Sequence, residues 1–336
     1  MDDSAPFNAA QAKAKANDLV RRGDALEREG ASHLAWQCLA DAAILGLRAR
    51  GKSIAGEWDG TIAARQPLTV VRLMRHVGAQ LRMAPMLHAL VVAGMKVTVI
   101  AEPRLMPLLA RSFPQITVLP DTAPPPDGPW ASYERVAQHI WDCPHAIQQQ
   151  RRALRADPSR TARLRARYLD QAPVKTLIGL SWWSSNTHKD LPDFQTLTTA
   201  LRQIPGTLVS VQYAPQEAGL TALSEALAPV PLLYDPQIDP ATDLDASAAQ
   251  IAAMDLVVSV SNTTVHMAGA LGQRCILLMD DLPHMMWPFG TSRSVFYETV
   301  HVLRKEGRSW ADTCRAAVTV AQAYLGNTLD IHNTEH

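Results

Sequence analysis

The segment Ser259 to Gly272, SVSNTTVHMAGALG, sets an asparagine, two threonines and a histidine between an apolar run and a stretch of small residues. Asp255 to Val260 reads as a buried strand, Ser261 to Thr264 as a polar elbow, and Ala268, Gly269, Ala270 and Gly272 as a helix slim enough to lie close against a sheet. Amides in the first turn of a helix have no acceptor inside it. With Asn262, Thr263 and Thr264 beside them they make a cradle for phosphate. The same string also suits an ordinary cap on a βα loop, which needs no ligand. His266 falls in the first turn and faces either the ligand side or a neighbouring loop.

Other strings carry further polar chemistry. Ser181 to Pro192, SWWSSNTHKDLP, offers Ser184, Ser185 and Lys189, whose ammonium either neutralises a phosphate or is solvated on a loop. VQYAPQE offers Gln212, Tyr213 and Glu217; a carboxylate one turn into a helix either accepts from ribose hydroxyls or favours the helix dipole alone. Asp239, Asp243 and Asp245 have the look of a metal motif, but Asp245 directly precedes a helix expected over Ala246 to Met254 and suits its N-cap. Asp280 and Asp281 fit a polar loop. No metal site is therefore expected. Ser181 and His266 lack the GxSxG context of a hydrolase, and no GxGxxG string supports a dinucleotide oxidoreductase.

Alternating strands and helices must hold these residues. Strands are expected at Leu68 to Met74, Lys96 to Ala101 and Ile116 to Leu119, with helices at Gln80 to Ala93 and Pro103 to Ser112. A Pro-rich loop, Asp121 to Pro129, precedes a polar helical region that breaks at Asp157-Pro158. A second series follows: Thr176 to Trp182, Thr207 to Gln212, Pro231 to Tyr234, Asp255 to Val260, Cys275 to Met279 and His301 to Leu303. This alternation predicts two α/β units with parallel, Rossmann-like sheets, in which ligands bind off the carboxyl ends of the strands. Ahead of them, Asn17 to Arg50 is helical with a break at Glu29-Gly30-Ala31. Its Leu19, Gly23, Leu26, Gly30, Ala35, Leu39 and Ala42 are spaced like one tetratricopeptide repeat, from which Arg22 and Leu47 depart, and such a repeat cannot bury its apolar face alone. A generic two-helix extension reads equally well. The expected boundaries are 1–57 for the helical extension, 58–170 for the first α/β domain and 171–326 for the second.

The totals set limits. The 336 residues hold 32 basic and 32 acidic side chains, a balance that argues against nucleic acid as a partner. No apolar run is long enough to span a bilayer and no secretory leader opens the chain, so a cytoplasmic protein is expected. Cys38, Cys143, Cys275 and Cys314 are far apart and read as reduced packing residues.

GLSWWSSNTHKD, VQYAPQE, TDLDASAAQIAAMDLVVSVSNTTVHMAGALG and WPFGTSRSVFYETVHVLRK occur in this order, with EWDG at Glu57 to Gly60 ahead of them. Together they resemble glycosyltransferases of the heptosyltransferase class, glycosyltransferase family 9, and in particular the branch with tetratricopeptide repeats before the transferase. The resemblance implies a GT-B fold and a metal-independent hexosyl- or heptosyltransferase with a nucleotide-sugar donor and a glycan or protein acceptor. It implies no cofactor, and it leaves the N-terminal helices as a surface for a protein partner. By position it implies that Thr263 and Thr264 bind the donor pyrophosphate, helped by Ser184, Ser185 and Lys189. Glu217 would contact ribose and His266 would support the phosphate loop. Tyr213 and Asn262 complete the expected donor set. One departure stands out. Relatives usually carry Gly-Asp after the first strand, the aspartate serving as general base, whereas Gly78 is followed here by Ala79. His76 is the nearest substitute base, with Asp59 and His88 as others if the fold brings them in. The rival expectation is a catalytically silent GT-B module that binds a nucleotide-sugar or a protein partner; an epimerase on the same architecture is a third.

Overall fold

The computed structural model describes residues 8–71, 77–122, 127–140, 152–213, 217–284, 286–294 and 296–326. They form two compact units, one made of Met1–Met106, Phe113–Gln149 and Pro283–Gly290, the other of Pro107–Ser112, Gln150–Leu282 and Thr291–His336.

The first unit opens with a helical hairpin. Asn8 caps the helix Ala9–Arg28 by accepting from the amides of Ala10 and Gln11 at 3.0 and 3.2 Å, so this helix begins earlier than its apolar spacing indicates. Gly30, at φ 77°, ends it, and a second helix runs Ser32–Ala49. The helices touch at Gly23, where a methyl group would sit 3.4 Å from the Ala35 carbonyl oxygen. The second helix buries Ala35, Trp36 and Ala40, and it packs against the helix Tyr133–Ile140 of its own unit. Arg135 fastens this contact: Nε donates to Glu57 at 2.7 Å, Nη1 to Gln138 at 2.6 Å and Nη2 to Asp41 at 2.9 Å.

The sheet of this unit contains β1 (Pro67–Val71), β2 (Lys96–Ala101), β3 (Thr117–Pro120) and β4 (Trp130–Ser132), in the order β3-β2-β1-β4 and all parallel. The expected helix Gln80 to Ala93 is two helices, Val77–Leu81 and Ala84–Val92. Pro85 in the first turn of the second needs no amide partner there and favours a fresh start. β4 was not expected. It is three residues long and carries too little pattern to read, yet its register, Val71 against Ser132, extends the sheet beyond β1.

The second unit is a six-stranded parallel sheet: β5 (Leu177–Ser181), β6 (Thr207–Ser210), β7 (Leu232–Leu233), β8 (Leu256–Val260), β9 (Cys275–Met279) and β10 (Val300–Arg304). Their order is β10-β9-β8-β5-β6-β7, so the chain grows outward from β5 on one side and from β8 on the other. β5, β6, β8 and β9 are buried throughout, as strands covered on both faces must be. The helix Pro158–Gln171, which the sequence groups with the first half, packs on the helix Leu244–Ala252 and belongs structurally to this unit. Its start at the Asp157-Pro158 break is a cap, with Asp157 accepting from Arg160 N at 2.7 Å. One expected cap is corrected. Asp243, not Asp245, caps Leu244–Ala252, accepting from Ala246 N at 2.8 Å, while Asp245 is free to pair with Arg111. Cys38, Cys275 and Cys314 are buried and free; Cys143 lies outside the described residues.

Arg135→Ala removes the cation shared by Glu57 and Asp41 and leaves Glu57, with 20% of its side chain exposed, without that partner. A loss of about 2 to 4 kcal/mol is expected. It should appear as a lower Tm and as faster amide exchange in Ser32–Ala49, with exchange in β5 and β8 unchanged.

Candidate functional site

In the second sheet β5 and β8 are neighbours, with Gly179 beside Val257 and Ser181 beside Ser259, although β6 and β7 lie between them in the chain. The winding direction reverses between them. Outside the carboxyl ends at such a reversal the loops diverge and leave room for a ligand. Here the two loops are Trp182 to Lys189 and Ser261 to Thr263, and the helix Thr263–Ala270 leaves the second.

A buried polar network sets the shape of this place. Asn262, the N-cap, accepts the Thr264 amide at 2.9 Å through Oδ1 and donates through Nδ2 to Ser181 Oγ at 2.8 Å and the Trp183 carbonyl at 2.9 Å. Ser181 Oγ lies 3.1 Å from Thr264 Oγ1, which donates to the Val211 carbonyl at 3.1 Å. Gln212, 3% exposed, ties the same loop from the end of β6. Its Oε1 accepts the amides of Trp182 and Trp183 at 2.8 and 2.9 Å, and its Nε2 donates to the carbonyls of Trp183 and Tyr213 at 3.2 and 2.8 Å. In a low-dielectric interior each of these groups would be costly if left unpaired, so the network fixes one loop conformation.

The expected donor residues separate into those that structure the site and those that face outward. Asn262 and Thr264 belong to the network: Thr264 is 2% exposed and its hydroxyl is committed on both sides. Thr263 is half-buried, and its amide and that of Val265 have no acceptor one turn back along the helix. Lys189 reaches the elbow, donating through Nζ to the Ser261 carbonyl and lying 3.3 Å from Ser261 Oγ. Ser184 is half-buried and accepts from Asn186 N at 3.3 Å, and Ser185 is exposed on the same loop. Tyr213 is half-buried at the end of β6. Glu217 opens the helix Glu217–Leu227, and its side chain lies outside the described residues. His266 is buried beside Tyr297, ring centroids 6.0 Å apart. The roles of Gln212 and Ser181 escape a sequence reading because a buried amide and a strand-end serine look like any others; the signal is their place at two strand ends.

A carboxylate adjoins the elbow. Asp280, at the end of β9, accepts from the amides of Asp190 at 3.1 Å and Leu282 at 3.3 Å. Burial raises its pKa, an effect that those two amides and the charges of Lys189 and Arg304 oppose. Buried Arg304 in turn donates to the carbonyls of Asp280 and Leu282. Among the described residues no group of three or more His, Cys, Asp or Glu side chains is arranged to hold a metal ion.

On the first unit, His76 lies outside the described residues. Ala79 is buried in Val77–Leu81. Asp59 accepts from Thr61 N at 2.8 Å in an exposed loop, and that bond holds its carboxyl below the usual range. His88 is half-buried on Ala84–Val92, where burial lowers its pKa.

Two substitutions test the local construction. Gln212→Leu keeps the volume but strips the amides of Trp182 and Trp183 of their acceptor, for an expected loss of about 2 to 5 kcal/mol. At Gly269 a methyl group would come within 2.5 Å of buried Tyr297 Cγ, so Gly269→Ala should destabilise by about 1 to 3 kcal/mol despite the better helix propensity of alanine. Denaturant titration of each variant measures both; an unchanged midpoint would contradict the packing described.

No protein-family model matches the chain. Protein FlbA of Caulobacter vibrioides is 27% identical over 197 residues, covering 53% of this chain and 33% of FlbA, so the match spans about a third of that relative's length. Among solved structures, the glycosyl transferase family 9 protein of Veillonella parvula matches with a TM-score of 0.56 and 10% identity, over 77% of this chain and 97% of that one. The ADP-heptose LPS heptosyltransferase II of E. coli matches with a TM-score of 0.52 and 12% identity, over 79% of this chain and all (100%) of that one. Among the described residues no helix is long and apolar enough to cross a membrane. With its two parallel-sheet units, the chain has the GT-B fold of these glycosyltransferase family 9 and heptosyltransferase structures.

Proposed function

We propose that this chain is a cytoplasmic GT-B glycosyltransferase that moves a hexose or heptose from a nucleotide-sugar donor to a glycan or protein acceptor. The observation that carries the proposal is the helix start at Thr263, placed at the reversal of the second sheet with unpaired amides and the Lys189 ammonium beside it. Amides at Thr263 and Val265, the Thr263 hydroxyl and Lys189 bind the donor diphosphate and stabilise the charge that grows on it as the glycosidic bond breaks. Fixed dipoles and one cation do the work often given to a divalent ion. The proposal therefore includes no metal requirement, and residual activity in excess chelator is its measure. Ser184 and Ser185 extend the phosphate loop, and Tyr213 and Glu217 serve the nucleoside. His266 supports the helix from beneath. Residues 171–326 act as the donor domain and 58–170 as the acceptor domain. The hairpin within 1–57 is a tetratricopeptide-like surface for a protein partner.

A second reading, a nucleotide-sugar-binding module without turnover, is favoured by one observation: position 79, where relatives carry the catalytic aspartate, is a buried alanine. A panel of nucleotide-sugars that includes ADP-heptose separates the two. Donor-induced thermal stabilisation with release of nucleotide supports the transferase; stabilisation without release supports the silent module.

The neighbouring threonines should behave differently. Thr263→Ala is expected to weaken donor binding by roughly tenfold or more with little change in Tm, since a bond to a charged phosphate is worth about 1.5 to 3 kcal/mol. Thr264→Val should lower Tm, because the Ser181 and Val211 groups lose their partner. Lys189→Ala should weaken donor binding most at low salt, where its charge is least screened. Calorimetric titration at two ionic strengths checks these outcomes, and equal affinities for wild type and Lys189→Ala would remove the lysine from the site.

A further inference from the structure

Lys189 carries its charge on a flexible four-carbon stem, and the residues just before it, Ser185 to His188, are exposed on a loop. A cation on such a stem pays ordering entropy whenever it meets an anion, unless the chain around it is already held. The second sheet supplies the hold.

The loop that leaves β5 crosses the end of β8 and is tied beyond it to the ends of β9 and β10, as the strand order β10-β9-β8-β5 allows. At β8, Lys189 Nζ donates to the Ser261 carbonyl. At β9, Asp280 Oδ2 accepts the amide of Asp190, the residue after Lys189, at 3.1 Å. At β10, Lys305 Nζ donates to Asp190 Oδ2 at 2.6 Å and lies 5.4 Å from the centre of the Trp310 ring, while the Lys305 amide donates to the Met279 carbonyl at 2.9 Å. The chain beside the lysine is thus gripped from two strand ends.

Asp280 is itself fixed. It is 4% exposed, its Oδ1 accepts the Leu282 amide at 3.3 Å, and buried Arg304 donates to its carbonyl at 2.8 Å. A buried carboxylate is costly to desolvate, a cost that the two amides and the charges of Lys189 and Arg304 offset. Asp280 therefore acts on Lys189 twice, through the neighbouring amide and through its charge.

Resting on the transferase reading above, we propose that Asp280 and Asp190 are positioning residues for Lys189, holding the chain beside it so that the ammonium stays at the elbow where the donor diphosphate binds. Neither touches the donor. The role has a sign that separates it from plain electrostatics. A carboxylate that merely lies near an anion site repels the anion, so its removal tightens binding. A carboxylate that places the cation does the opposite, and its removal weakens binding.

The test titrates the full chain with ADP, GDP and UDP by calorimetry and carries forward the diphosphate that wild type binds most tightly. Asp280→Asn and Asp190→Ala each remove a negative charge, and each is measured with Lys189 present and in the Lys189→Ala background. The expected result is a weakening of about three- to thirtyfold in both variants where Lys189 is present, and no weakening where it is absent. Tightening, or weakening by less than about threefold, in either variant overturns the proposal. So does weakening that persists without Lys189, the mark of a structural role. Where Lys189→Ala binds too weakly to titrate, ionic strength decides: a flatter salt dependence in Asp280→Asn than in wild type supports a displaced cation, and an equal or steeper one overturns it. If Asp280→Asn does not fold, the exposed Asp190→Ala decides alone by the same criteria. A wild-type chain that binds none of these diphosphates refutes the donor site itself, and the clamp falls with it; wild-type binding that neither variant weakens refutes the clamp alone.

Discussion

The arrangement of the second unit depends on one constraint: three polar side chains gathered at strand ends, two of them buried, must satisfy one another. Ser181 ends β5, Gln212 follows β6 and Asn262 follows β8; the first two are buried and Asn262 is half-buried. Their hydrogen bonds close only if the three strand ends hold one register and the loops between them one course. The payoff is at the surface. Because Asn262 and Thr264 spend their polar atoms inward, the helix amides beside them are held in place without being consumed. The polar groups of the elbow thus divide into a set whose side chains are spent on the internal network and a set that lies outside it.

Packing reinforces that division. The helix Thr263–Ala270 can sit on the sheet because Gly269 leaves space for the ring of Tyr297, and the same closeness brings its first turn to the ends of β5 and β8. Lys189 then closes the elbow from the opposite loop, against the Ser261 carbonyl. A charge so placed is partly desolvated. It acts more strongly on a bound anion than a lysine free in solvent, because less water competes for it.

Much of this was legible in the sequence. The long β-branched runs of β8 and β9 are buried on both faces, and such strands announce themselves by composition alone. The hairpin break at Gly30 and the cap at Asp157 follow from local chemistry, a left-handed backbone in one case and a carboxylate before proline in the other. What was not legible depends on distant partners. β4 has three residues, and only its pairing with β1 makes it a strand. Asp243 takes the cap from Asp245 because Arg111, far away in the chain, holds Asp245 elsewhere. The network around Gln212 joins residues roughly thirty to eighty positions apart, a separation that no local pattern encodes.

The two units also differ in how tightly they constrain their own chemistry. The second has six strands, and its site is built into the central pair, β5 and β8, so changing a residue there disturbs the core itself. The first has four strands, and its reversal lies next to an edge, between β1 and the three-residue β4. An edge strand imposes fewer packing demands on the residues that follow it. The second unit thus builds its loops on its own core, whereas the reversal of the first lies beside an edge, where the sheet constrains the neighbouring residues less.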